Sequence, residues 1–80
     1  MDDQEAFRLS CELAQRINNE ALADPSSPYA GKFVGVANGQ VVVVEDDVKT
    51  AFFRLRELEP NNRRTCLIEA SRDYSRVERV

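Results

Sequence analysis

Residues 32–45, at the centre of this 80-residue chain, read KFVGVANGQVVVVE. Two runs of strand-forming residues, from Lys32 to Ala37 and from Gln40 to Glu45, flank the dipeptide Asn38-Gly39. Asn-Gly is the strongest short-range signal for a β-hairpin, because a type I′ turn needs a positive φ at both central residues. The segment therefore predicts two antiparallel strands joined by a tight turn. The second run is apolar on both faces, as in a strand covered on both sides, or in one with helices above and a partner below.

The residues before this hairpin predict an amphipathic helix over 3–22, because apolar side chains recur on one face at about 100° per residue. Its apolar face consists of Ala6, Leu9, Leu13, Ala14, Ile17 and Ala21. Asp2 or Asp3 can cap its first turn. The helix ends before Asp24-Pro25, since the residue before a proline avoids the helical region.

The residues after the hairpin predict a second helix and a third strand. Asp46 or Asp47 can cap the start of the helix, and Pro60 ends it. Its apolar arc consists of Val48, Ala51, Phe52, Leu55 and Leu58. The run from Thr65 to Glu69 predicts the third strand, and a polar C-terminal tail follows over 71–80.

The element order α-β-β-α-β predicts a single α+β domain over 1–80, in which residues 28–70 form a ββαβ unit. A helix between the second and third strands indicates a right-handed crossover, so these two strands run parallel. The first strand then lies between them and antiparallel to both, which gives a three-stranded sheet in the order 2-1-3. We expect two layers, with both helices on one face of the sheet.

The amino-acid composition excludes most kinds of catalytic site. The chain has no histidine, which excludes a Ser-His-Asp or Cys-His site within it and removes the commonest metal ligand. Cys11 and Cys66 are too few for a structural zinc site, and no spacing supports catalysis by carboxylates or by Cys66. The acidic run Glu45-Asp46-Asp47 is expected to cap a helix and not to bind a cation. The sequence therefore predicts no enzyme, no cofactor and no metal.

The expected compartment follows from the N-terminus and the cysteines. Residues Met1 to Glu5 are acidic, whereas a signal peptide needs a basic region followed by an apolar one. The longest apolar run, Val41 to Val44, is far shorter than the roughly 20 residues of a membrane span. We therefore expect no membrane segment and a cytoplasmic protein in which both thiols stay free. A disulfide between Cys11 and Cys66 is the alternative.

Residues 29–42 contain a motif at the start of the hairpin and read YAGKFVGVANGQVV. This segment resembles a small prokaryotic domain family of unknown function, whose members open a hairpin with Y-x-G-K-[WF]-V-[AG]. A turn that ends in glycine and a strand of Val-Val type follow in that family. The resemblance covers about residues 28–70 and implies a compact ββαβ unit that stands alone or is attached to other modules. The family has no assigned activity, so the resemblance implies no catalytic residue.

The second helix carries a residue that its apolar arc does not explain. Phe53 lies about 100° or more from every apolar neighbour on that helix, on the side shared by Lys49 and Arg56. An aromatic residue beside an arginine is typical of an interface anchor, and packing against the first helix is the alternative. Lys32, at the mouth of the first strand, either keeps that edge soluble or contacts a ligand. The expected interface residues are therefore Lys32, Lys49, Phe53 and Arg56. We expect a non-catalytic protein-interaction or regulatory module that binds a foreign protein or a second copy of itself, either through its helical face or through an edge of its sheet.

A nucleic-acid-associated, antitoxin-like protein is the alternative function. Basic side chains collect in the second half of the chain, although 11 Lys and Arg against 14 Asp and Glu give a net charge of −3. The arginines that would contact phosphates are Arg63, Arg64, Arg72 and Arg76. The pI of about 4.9 disfavours this function, because nucleic-acid binding needs basic charge collected on one face.

Overall fold

The computed structural model describes residues 2–71 and contains two helices, three strands and one short 3₁₀ turn. In chain order these are α1 (Asp3–Ala23), β1 (Phe33–Ala37), β2 (Gln40–Glu45), α2 (Val48–Leu58), the 3₁₀ turn (Asn62–Arg64) and β3 (Thr65–Glu69). The α+β class and the order α-β-β-α-β are confirmed. The tail predicted over 71–80 lies outside the described residues, apart from Ser71. Within residues 2–71, no helix has the length and apolarity to cross a membrane.

The hairpin forms at the dipeptide that predicts it. Asn38 has a φ of 53° and Gly39 a φ of 79°, so both residues lie in the left-handed region that a type I′ turn requires. β1 and β2 pair antiparallel, and their register shifts by one residue after Gly35. Val42 is the extra residue in β2 at this β-bulge, which increases the local twist of the strand.

The sheet has the order β2-β1-β3, which confirms the predicted order 2-1-3. β1 lies in the middle and pairs antiparallel with both neighbours, so β2 and β3 run parallel to each other. α2 connects these two outer strands. Because β1 is central, its Val34 and Val36 are completely buried.

The two helices lie on opposite faces of this sheet, so the expected two-layer arrangement with both helices on one face is wrong. Successive side chains of a strand point to opposite faces. Val34 and Val36 of β1 pack against α1, whereas Gly35 and Ala37 lie on the side of Leu55 in α2. One helical layer cannot cover a central strand that is buried on both faces. The molecule therefore has three layers, with the sheet between α1 and α2.

Each helix builds a separate hydrophobic core with the sheet. The buried residues on the α1 side are Ala14, Ile17, Ala21, Val34, Val36 and Ala70. The buried residues on the α2 side are Ala37, Val43, Ala51 and Leu55. Half of the residues in each core are alanines, which lets the helices approach the sheet closely. A Cβ added at Gly35 would lie 3.1 Å from Val43 Cβ and 3.2 Å from Leu55 Cδ1, so glycine lets β2 and α2 approach β1 a few tenths of an ångström more closely than a larger residue would.

Both helices begin at aspartate caps. Asp2 Oδ1 accepts a hydrogen bond from the Glu5 amide at 2.8 Å, and Asp47 Oδ2 accepts one from the Thr50 amide at 2.9 Å. Each of these aspartates is one of the two that the sequence allowed for its helix. The caps satisfy amides that have no partner inside a helix.

One buried residue of α1 is polar and ties three elements together. Ser10 is 0% exposed, and its hydroxyl donates to the Arg64 carbonyl at 3.1 Å. The same hydroxyl accepts a hydrogen bond from the Gly39 amide at 3.0 Å. Ser10 therefore joins α1 to the hairpin turn and to the 3₁₀ turn. The predicted apolar face omits it, because a serine carries no hydrophobic signal.

Candidate interaction surface on the second helix

α2 carries more exposed apolar surface than the sheet can cover. Seven large apolar side chains are exposed among residues 2–71, and four of the seven belong to α2. These four are Val48, Phe52, Phe53 and Leu58. Only Ala51 and Leu55 of this helix are buried, because a narrow three-stranded sheet covers a narrow stripe. The predicted apolar arc of α2 is therefore too wide.

Phe53 lies at the point of α2 farthest from the sheet. Ala51 and Leu55, two residues before and after it, face the sheet, and two residues correspond to about 200° around a helix. Phe53 is 53% exposed, and α1 lies on the other side of the sheet. The alternative that Phe53 packs against the first helix is therefore wrong.

The two phenylalanines and an arginine form one contact group on α2. The rings of Phe52 and Phe53 meet edge to face, with centroids 5.8 Å apart and an interplanar angle of 67°. The Arg56 guanidinium carbon lies 5.7 Å from the centre of the Phe52 ring. Such a cation–π contact contributes about 0.5–1 kcal/mol at an exposed site. These contacts hold Phe52 and Arg56 in place beside Phe53.

Two opposite charges flank Phe53 on the same helix. Lys49 and Glu57 are exposed and lie four residues before and after it. Neither takes part in an ion pair within residues 2–71. Arg54, by contrast, is paired with Glu45 of β2. The outer surface of α2 is defined here by five residues: Lys49, Phe52, Phe53, Arg56 and Glu57.

The structure brings together three of the four predicted interface residues. Lys49, Phe53 and Arg56 belong to the outer surface of α2. Lys32 is instead paired with Asp46, so its charge is used within the chain. The sequence did not single out Glu57, although its spacing from Phe53, equal to that of Lys49, was a signal available for finding it.

Each of the three acidic side chains before α2, at positions 45 to 47, contacts a different group of the chain. Glu45 binds Arg54, Asp46 binds Lys32, and Asp47 caps the helix. The amide and hydroxyl of Thr50, which both donate to Asp47, hold the pKa of that carboxyl below its usual value. In the part of the chain that the structure describes, no group of three or more acidic or cysteine side chains can hold a metal ion.

The concave space beside α2 is small. A groove of about 110 Å³ runs between α2 and β3 and is lined by Phe52, Leu55 and Leu67 among others. Pockets for small molecules and cofactors usually measure about 300–1,000 Å³. The groove therefore suits the side chain of a partner protein better than a cofactor.

The arginines that were predicted to contact nucleic acid lie in different environments. Arg64 donates from Nε to Asp3 Oδ1 at 2.7 Å and from Nη1 to Asn38 Oδ1 at 3.1 Å, so its guanidinium ties α1 to the hairpin turn. Hydrogen bonds from Asn61 and Arg64 hold the pKa of Asp3 below its usual value. Arg63 is exposed and lines an open depression near the start of α1. The other two arginines, at positions 72 and 76, lie outside the described residues.

The two cysteines face each other between α1 and β3. Both are free thiols and half-buried. Burial raises the pKa of the Cys66 thiol to about 11, and the neighbouring Cys11 adds to this rise through its charge and a hydrogen bond. Because the thiolate is the reactive form of cysteine, this environment suppresses the nucleophilicity of Cys66.

No protein-family model, curated protein or solved structure matches this chain. The resemblance over residues 28–70 to a prokaryotic family of unknown function therefore stays a prediction. The identification of the outer surface of α2 as a candidate interaction site therefore depends on the geometry of this chain alone.

Proposed function

We propose that this chain is a non-catalytic protein-interaction module that works in the cytoplasm and binds its partner through the outer surface of α2. The observation that carries the proposal is the position of Phe53. It is more than half exposed and points directly away from the sheet. Aromatic residues and arginines are enriched at the centres of protein interfaces, and α2 presents both around one point.

The chemistry elsewhere in the described residues supports binding more than catalysis. The acidic side chains near α2 are used in ion pairs and a cap, and the pKa of Cys66 is raised away from the range of a nucleophile. The guanidinium of Arg64 is held by Asp3 and Asn38, which leaves it poorly placed to bind phosphate. No observation favours the antitoxin-like alternative over protein binding.

The test replaces Phe53 by aspartate and uses Phe7→Asp as the matched control. Phe7 is 48% exposed on α1, so it offers the same side chain at nearly the same exposure on the other side of the molecule. We expect Phe53→Asp to abolish the complexes that the wild-type protein forms, measured by light scattering of the purified protein and by affinity capture. Phe7→Asp should leave these complexes unchanged.

Circular dichroism and thermal unfolding establish that both variants keep the fold. Two results contradict the proposal. In one, Phe53→Asp keeps every complex that the wild-type protein forms. In the other, the wild-type protein forms no complex in either assay.

A further inference from the structure

We infer that Cys11 and Cys66 are an oxidisable pair, which a low-molecular-weight disulfide such as oxidised glutathione converts into an intramolecular disulfide bond between α1 and β3. The two thiols are free in the structure and share a hydrogen bond, so they are already neighbours before any oxidation. Because α1 and α2 lie on opposite faces of the sheet, the inference goes beyond the proposed function and does not depend on it.

Hydrogen bonds hold α1 against the start of β3 next to both cysteines. The Ser10 hydroxyl donates to the Arg64 carbonyl at 3.1 Å. Cys11 directly follows the first of these residues, and Cys66 lies two residues after the second. The Arg64 side chain also donates to Asp3 in the first turn of α1. The folded chain therefore fixes the position of one cysteine relative to the other.

The register of the sheet turns Cys66 towards α1. Cys66 pairs with Val36 of β1, and residues directly opposite each other on neighbouring strands have side chains on the same face. Val36 belongs to the core under α1, and Cys66 packs against that core. Both cysteines are half-buried and not fully enclosed, so a small disulfide reaches them from solvent.

The oxidation consists of two thiol–disulfide exchanges. The thiolate of Cys11 attacks one sulfur of oxidised glutathione, which forms a mixed disulfide and releases one glutathione thiolate. The thiolate of Cys66 then attacks the sulfur of Cys11, so the bond between the two cysteines forms and the second glutathione thiolate leaves. The two protons lost by the protein thiols are taken up by the two released thiolates. The protein loses two electrons, which reduce the glutathione disulfide.

The environment of the pair determines this order of attack. Burial and the charge of Cys11 raise the pKa of the Cys66 thiol, so the first thiolate of the pair forms on Cys11. Cys66 reacts in the second step, in which the sulfur that it attacks is its direct neighbour. Such proximity compensates for the small fraction of Cys66 that is ionised.

The bond closes a long loop, which determines its effect on stability. Residues 12–65 lie between the two cysteines, so the link restricts most of the unfolded chain while the folded chain already holds the two thiols together. We therefore expect the oxidised protein to unfold at least about 8 °C above the reduced protein.

The experiment treats the dilute full chain with excess oxidised glutathione and follows the product by intact mass spectrometry. We expect a monomer that is lighter by about 2 Da, the mass of two hydrogen atoms, and that no longer reacts with a thiol-alkylating reagent. Trypsin should then release residues 9–16 and 65–72 as one linked pair of peptides. Thermal unfolding before and after reduction by a dithiol measures the change in stability.

The matched variants are Cys11→Ser and Cys66→Ser, each of which keeps one thiol. Neither should give the linked peptides or gain unfolding temperature on treatment. A second measurement uses only the wild-type protein, in a mixture of reduced and oxidised glutathione that oxidises half of the native chains. In denaturing urea, where the contact between the cysteines is lost, the ratio of linked to unlinked chains should fall at least about thirtyfold.

Four results overturn the inference. They are native thiols that stay free or each carry a glutathione, a disulfide that forms only between two copies, a linked protein that unfolds no higher than the reduced one, and a linked fraction as large in urea as in the native protein. The proposed function is tested separately by Phe53→Asp, so the failure of either idea leaves the other intact.

Discussion

Ser10 shows how one buried hydroxyl can hold three elements together. It is completely buried and bonds the Gly39 amide and the Arg64 carbonyl. Replacing it by alanine removes the hydrogen-bond partner of the part-buried Gly39 amide, whereas the Arg64 carbonyl keeps its hydrogen bond from the Asn38 amide. We expect Ser10→Ala to lower the free energy of unfolding by about 1–3 kcal/mol, measured by urea denaturation.

The matched control for this change is Ser26→Ala. The Ser26 hydroxyl also makes a hydrogen bond, to Asp24, but the residue is exposed. We expect this variant to stay within about 0.5 kcal/mol of the wild type. Equal effects of the two serine variants would show that the buried position of Ser10 has no special importance.

Cys66 links stability to alkaline pH. Burial is the main reason that its pKa rises from the usual 9.0 to about 11. The folded state favours the neutral thiol, so the stabilisation is fully present below pH 9 and is lost as the pH rises towards 11. We expect the wild type to lose more free energy of unfolding over this range than Cys66→Ala, as followed by urea denaturation at several pH values. Identical pH dependence in the two proteins would contradict the raised pKa.

At the scale of the element, the hairpin turn combines a backbone requirement with a close contact. Gly39 has a φ of 79°, and a Cβ added there would lie 3.1 Å from Leu9 Cβ of α1. Gly31 has nearly the same φ, 76°, but has no neighbouring atom within 4 Å of such a Cβ. Either change to alanine lowers the free energy of unfolding by about 1–2 kcal/mol, because a residue with a Cβ disfavours the left-handed region. Only Gly39→Ala also forces α1 and the hairpin apart.

We therefore expect Gly39→Ala to destabilise the protein clearly more than Gly31→Ala, by about a further 1 kcal/mol or more. Thermal unfolding of the two variants measures the difference. If both variants lose the same free energy of unfolding, the contact between Leu9 and the hairpin turn contributes nothing.

At the scale of the whole molecule, the three-layer arrangement makes the two cores independent. Ile17 belongs to the core between α1 and the sheet, and Leu55 to the core between α2 and the sheet. Ile17→Val should cost about 0.5–1.5 kcal/mol and Leu55→Ala about 2–5 kcal/mol. Because the sheet separates the two sites, we expect the double variant to equal their sum within about 0.5 kcal/mol.

Denaturant unfolding of the four proteins in this cycle measures the coupling between the cores. Helices packed side by side on one face would bring such residues into mutual contact, and contacting residues couple by about 0.5–3 kcal/mol. A coupling energy of that size would contradict the separation of the two cores.

The local features of the fold could be predicted because each depends on residues close together in the chain. Asn38-Gly39 defines the turn through its tolerance of positive φ, and aspartates just before each helix satisfy the free amides of its first turn. The α+β class and the strand order follow from the element order and from the handedness of the crossover. These signals need no knowledge of distant neighbours.

Which face of each helix and strand is buried depends on contacts between distant parts of the chain. The apolar run Val41–Val44 and the burial of β1 on both sides require cover above and below the sheet, yet the element order alone does not assign each helix to a face. The burial of Ser10 depends on Arg64, 54 residues away. The exposure of Phe53 depends on α1 lying beyond the sheet. Periodicity identifies an apolar stripe, whereas the width of the surface that covers it, and hence what stays exposed for a partner, arises from packing.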